Sequence, residues 1–103
     1  PKKYSYHYNF LGVSYKNFDM NKNYQLFIID GPSLIRKNGV KPFNADIYHY
    51  HLKNSEKNFI AFLDKRIHTL KILKKIMPDL SFEYNNIEES SLIIKGKIDN
   101  YRL

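Results

Sequence analysis

The sequence predicts an α+β fold: a mostly antiparallel sheet of about five strands, with one long amphipathic helix (about residues 55–77) packed on one face. Three observations predict it. Residues 54–78 (NSEKNFIAFLDKRIHTLKILKKIMP) carry apolar side chains at helical spacing. Several shorter runs alternate apolar and polar residues, as half-buried strands do. The chain has 103 residues, which suits a single domain with a modest core of one helix against one sheet.

On a helical wheel Phe59, Phe62, Leu63, Ile67, Leu70, Leu73 and Met77 share one side, flanked by Ile60 and Ile76. Lys57, Asp64, His68, Lys71 and Lys75 fall opposite. Ser55 suits the N-cap, and Glu56 places negative charge at the positive end of the helix dipole. Lys71, Lys74 and Lys75 complement the other end, and Pro78 stops the helix. Arg66 breaks the pattern, because it projects into the middle of the apolar arc. Either its stem packs while the guanidinium reaches an edge, or the guanidinium is aimed at a carboxylate or a phosphate.

Taken in order, Lys3–Phe10 reads as a strand with Tyr4, Tyr6, Tyr8 and Phe10 facing the core and Lys3, Ser5, His7 and Asn9 facing water. Residues 11–23 read as a loop. Tyr24–Ile29 is a short, almost continuous apolar run, which suggests a central strand covered on both faces. Asp30-Gly31-Pro32 is a turn. Residues 33–39 suit a strand or a helical turn, and Pro32 with Gly39 favours the turn. Residues 40–45 connect to a strand over Asp46–Leu52. Ile47, His49 and His51 share one of its faces; Tyr48, Tyr50 and Leu52 share the other. Leu80–Tyr84 and Leu92–Ile98 form a hairpin with an acidic tip. Asp99–Leu103 is a frayed end unless Tyr101 and Leu103 dock.

There is no cysteine, which excludes disulfides, zinc–thiolate sites and thiol chemistry. No apolar run reaches membrane-spanning length, so the expectation is a soluble, cytoplasmic protein with no membrane partner. The net charge of +7 points toward nucleic acid. Part of it is background: Asn, Lys, Ile and Tyr supply 46 residues, all with A/T-rich codons, and lysine outnumbers arginine 14 to 3. The distribution says more. Residues 1–78 carry a net +9 and residues 79–89 a net −4, a polarity that steers partners.

The sharpest constellation is His49-Tyr50-His51. Two histidines at i and i+2 of a strand point the same way and can share one divalent metal. This His-hydrophobic-His pattern resembles the metal motif of the HUH nucleases, in which a tyrosine on a following helix attacks the phosphodiester. Here Tyr84 and Tyr101 are the only tyrosines downstream. The run LFIIDGPSLI resembles the strand that carries the first metal-binding aspartate in PIN-type nucleases. Those folds need further acids at strand ends, which this sequence does not place, so no role passes to Asp30. A metal-free nuclease would draw on His7, His49, His51, His68, Arg36 and Arg66 as acid, base and phosphate clamp. There is no glycine-rich phosphate loop, nucleophile elbow or zinc spacing.

The expected function is therefore that of a small basic nucleic-acid-associated protein, an RNA or DNA binder or a small toxin-type nuclease. Lys57, Lys71, Lys75, Arg36, Lys37 and Lys41, with Lys2 and Lys3, would meet phosphates. Catalytic candidates are His49, His51 and Arg66. No cofactor is expected beyond a divalent metal on His49 and His51. The alternative is a phage- or plasmid-type inhibitor or accessory protein. It would bind a host protein through its aromatic edge or the acidic hairpin 79–89. An unpaired edge strand would allow a homodimer.

Overall fold

The computed structural model describes residues 2–96. The α+β class holds, but the architecture is two sheets and two helices. In chain order the elements are β1 (Lys2–His7), β2 (Phe10–Tyr15), β3 (Leu26–Ile29), β4 (Phe43–Asn44), α1 (Asp46–Lys53), β5 (Phe59–Asp64), α2 (Ile67–Ile76), β6 (Ser81–Asn85) and β7 (Ser90–Lys95). A three-stranded sheet runs β1-β2-β4, and a four-stranded sheet runs β3-β5-β7-β6. Among the described residues no helix is long and apolar enough to cross a membrane.

The expected helix over residues 55–77 is two elements. Residues 54–58 are a connection, so Ser55 caps no helix; Phe59–Asp64 is a strand, and the helix begins only at Ile67. Six residues of FIAFLD contain five apolar ones, and such a run satisfies the helical period and the strand period alike. Phe59, Ala61 and Leu63 alternate inward onto the core, while Ile60 and Phe62 occupy the other face. The chain turns at Lys65, whose φ is 57°, and Arg66 is the non-helical N-cap. The stop was correctly placed: α2 ends at Ile76, Met77 caps it, and Pro78 follows.

The expected strand over Asp46–Leu52 is helix α1. Its tyrosines favour strands, but Ile47 and Tyr50 stand at i and i+3 and are buried against the four-stranded sheet. The expected loop over residues 11–23 contains β2, which pairs antiparallel with β1 from Lys2↔Tyr15 to His7↔Phe10. Tyr8 and Asn9, with φ of 51° and 74°, form the two-residue turn between them. The faces of β1 differ in part from expectation. Ser5 and His7 turn toward α1, whereas Tyr6 is 68 % and Tyr8 74 % exposed; Phe10 does pack against the core and Lys3 does face water. Residues 37–40 form a second tight hairpin, not a helical turn. Lys37 and Val40 exchange both backbone hydrogen bonds around Asn38 (φ 52°) and Gly39 (φ 78°).

β3 lies at the sheet edge, not its centre; it pairs in parallel with β5 alone, and Leu26 and Ile28 are 60 % and 68 % exposed. The β6–β7 hairpin forms as expected, with Glu88 and Glu89 in its tip. Of the final strand, Leu92–Lys95 is seen; Ile98, the frayed end at Asp99–Leu103, and the docking of Tyr101 and Leu103 lie outside the described residues.

The core lies between the helices and one face of the four-stranded sheet. α1 gives Ile47 and Tyr50, α2 gives Leu70, Ile72 and Leu73, and the sheet gives Phe27, Phe59, Ala61, Leu63 and Ile93. The small sheet packs on α1 at Gly12, the one residue of β2 with no side chain. A Cβ there would stand 2.8 Å from the Ala45 Cβ and 3.2 Å from His7 Cδ2. Gly12→Ala should therefore destabilise the fold by about 1–3 kcal/mol through overpacking. A urea denaturation midpoint equal to that of the parent would refute this account of the interface.

Candidate functional site

His7 closes β1, and the tight turn at Tyr8-Asn9 swings the chain back so that its ring lies over Gly12. His49 lies in the first turn of α1 and reaches the same spot from the opposite side. The two rings meet tip to tip, Nε2 to Nε2, at 2.9 Å. Ser5 Oγ is 2.9 Å from His7 Nε2 and 3.5 Å from His49 Nε2. On its far side His49 Nδ1 is 3.2 Å from Ser14 Oγ. Tyr48 stands edge-on to the His7 ring at 4.9 Å.

Burial lowers the pKa of both histidines. For His49 it falls to about 4, with like charge from His7 and Lys3 adding to the burial. Both rings are thus neutral near pH 7, and one Nε2–H must donate to the other Nε2. The pair can hold a single proton. It does not span a phosphodiester. An acid and a base on opposite sides of an in-line displacement must stand roughly 5 Å apart or more, the room for two hydrogen bonds and the atoms between them.

Behind the pair is Asp46, buried at the start of α1. Its Oδ2 accepts from the Tyr15 N–H at 3.3 Å, and Ser14 also hydrogen-bonds the carboxylate. Its Oδ1 is buried and has no hydrogen-bond partner among the described residues. Burial raises its pKa, outweighing the Tyr15 N–H, Lys3 and Ser14, which act to lower it.

The expected metal pair is not assembled. On a helix His49 and His51 project to different sides. His51 lies near Phe59, with a buried Nδ1 that has no partner among the described residues, and its pKa is lowered by burial and then by Lys95. Among the described residues no group of three or more His, Cys, Asp or Glu is placed to hold a metal. Arg66 is a brace. Its guanidinium donates to the carbonyls of Asp30 and Pro32 and, at 3.0 Å, to Asn44 Oδ1.

The basic residues divide. Lys41, Lys65, Arg66 and His68 line a crevice of about 360 Å³ at the start of α2, with Asp64 the one acid. His68 Nε2–H donates to the Lys41 carbonyl at 3.2 Å. Its pKa is lowered by burial, against the raising effect of its bond to the Lys41 carbonyl, and like charge from Lys41, Arg36 and Lys71 lowers it further. Lys37 lies over the Tyr4 ring at 3.9 Å, and Lys75 sits 5.7 Å from the Phe10 ring. Lys57 is in the connection before β5, outside this group. Sequence reasoning missed His7, Ser5, Ser14 and Asp46 as a set. The available signal was Gly12 between two strand-like residues, which marks a close backbone approach.

Asp46 yields a pH prediction. Its folded pKa lies above its ordinary value of 3.8, so its contribution to stability is fully present below that value and is lost as pH rises through the folded pKa. Asp46→Asn keeps an acceptor for Tyr15 and carries no charge. The melting temperature of Asp46→Asn relative to the parent should be higher at pH 7 than at pH 4; the reverse order would show that the carboxylate is stabilised where it sits.

The sequence matches no family model, and no curated protein or solved structure is significantly similar to it, so what this chain does is read from its own side chains.

Proposed function

We propose that the chain binds nucleic acid, with the phosphate backbone seated in the crevice at the start of α2. The observation that carries this is the clustering of Lys41, Lys65 and Arg66 with His68 around one crevice, with the like charge of Arg36 and Lys71 also felt at the His68 ring. A lysine-rich composition scatters charge over a surface; it does not by itself gather Lys41 with Lys65 and Arg66, 24 and 25 positions further on, into one crevice. A path for a strand continues from there. Lys37 follows Arg36 and covers Tyr4, and Tyr6, two residues along β1, shares the Tyr4 face and is largely in water. A base stacked on an exposed tyrosine adds about 1–3 kcal/mol whatever its identity, so this surface suits sequence-tolerant binding.

Fluorescence anisotropy with short single-stranded RNA and DNA across a salt series tests the reading. With about three phosphates neutralised, log K should fall against log salt with a slope of about −2. Lys41→Glu with Lys71→Glu should weaken binding at least tenfold and flatten that slope, while Lys57→Glu, outside the crevice, should change little. Binding indifferent to the first pair would remove the proposal.

A second reading has one observation in its favour. Ile87, at the tip of the β6–β7 hairpin beside Glu88 and Glu89, is 90 % exposed. An apolar residue presented beside two acids suits docking on a basic, grooved protein surface. A host protein that co-purifies with the chain should be lost in Ile87→Asp; its retention would exclude this tip.

A further inference from the structure

We propose that His7 and His49 form a binding site for a divalent transition metal, with Ser5 as the third donor. The inference is independent of nucleic-acid binding. It begins with the tip-to-tip meeting of the rings. Two Nε2 atoms 2.9 Å apart, with Ser5 Oγ 2.9 Å from one and 3.5 Å from the other, form a small triangle of three potential ligand atoms, the ring that carries Nε2–H moving its proton to Nδ1 as an ion binds. An ion about 2.1 Å from both nitrogens fits above this triangle, at the separation typical of metal–imidazole bonds.

The dimensions also select the ion. At that bond length a nitrogen separation of 2.9 Å corresponds to an N–metal–N angle of about 90°, whereas tetrahedral zinc needs its nitrogens about 3.4 Å apart. Right angles belong to tetragonal and octahedral ions, and imidazole ligands point to Cu²⁺ or Ni²⁺. The outer shell fits as well. A metal-binding histidine uses its second nitrogen to hydrogen-bond a partner that fixes the ring. His49 Nδ1 does so with Ser14 Oγ, and Ser14 in turn hydrogen-bonds the Asp46 carboxylate. That carboxylate, with one oxygen unpartnered among the described residues, is the nearby negative charge that offsets Lys3.

The fold holds the ligands in place. His7 is fixed by the turn at Tyr8-Asn9 and by its seat over Gly12, and His49 by the helix. Both rings are partly open to solvent, which leaves an entry path and free coordination positions for water. The ion would bridge β1 to α1 across 42 residues of chain and so stabilise the native state.

The test uses the full chain, stripped of metal with chelator and titrated with copper(II) sulfate, then nickel(II) sulfate. Electron paramagnetic resonance of the one-equivalent copper sample should show a tetragonal spectrum with two imidazole nitrogens, and the melting temperature should rise with metal. The nitrogen count needs no variant; one imidazole or none overturns the proposal. His7→Ala and His49→Gln, checked for folding by circular dichroism, should each weaken copper binding at least about tenfold, and Ser14→Ala should weaken it about tenfold through the outer shell. His51→Ala and His68→Ala should bind as the parent does. Equal affinity in folded His7→Ala would show that the copper sits elsewhere, as at the terminal amine, and would overturn the assignment.

Discussion

One buried amide joins the parts of this fold. Asn44 ends the short strand β4, almost wholly out of solvent. Its backbone N–H donates to Thr69 Oγ1 of α2, and the same hydroxyl donates back to Asn44 Oδ1. Its Nδ2 donates to the Pro32 carbonyl at 2.8 Å, and Arg66 adds a second bond to Oδ1. The small sheet, α2 and the loop that leaves β3 thus meet at one residue. Each of these bonds contributes about 1 kcal/mol net, but a buried amide stripped of a partner costs more than the bond was worth. The interaction therefore specifies as much as it stabilises, because no other register of β4 brings an amide to Thr69.

Both candidate sites lie within reach of that junction. Arg66, which braces the junction, also lines the basic crevice, and Phe43, beside Asn44, packs edge-on to the His7 ring. The two sites differ in electrostatic character. The crevice gathers full positive charges at the surface, where salt screens them within about 10 Å. The histidine pair is neutral and half-buried, and its properties come from lone pairs and from one carboxylate behind it. A polyanion responds to the first and is nearly blind to the second.

The α+β class, the end of the second helix and the β6–β7 hairpin were legible in the sequence, because Pro78, the last-turn lysines and the alternation of Leu80–Tyr84 act locally. The boundary at residues 64–67 was not, although Arg66 was the clue. A guanidinium in the centre of an apolar arc meant that the arc was not one helix. α1 was hidden by residues that prefer strands, a local preference overridden by packing of Tyr50 between Phe27 and Phe59. Of the basic candidates, Lys41 and Arg66 line one crevice and Lys57 does not, since basic residues read alike wherever the chain places them. The histidine pair was the hardest to read. It depends on β1 turning its serine and histidine face inward against a partner strand whose one local mark is Gly12 among strand-like residues.

The strand pairings also order events in time. β1–β2 and β6–β7 are hairpins of near neighbours and close within microseconds. β3 pairs with β5, more than thirty residues away, and this parallel pairing closes a long loop that holds α1 and the Asn38-Gly39 hairpin, the kind of non-local contact that forms slowly. His7 and His49 are separated by a similar stretch of chain, so their encounter belongs to the slow, non-local phase. A nascent or partly unfolded chain already displays its lysines, and can meet an anionic surface, before the histidine pair exists. Capacity to attract is present from synthesis; the pair is a property of the finished molecule.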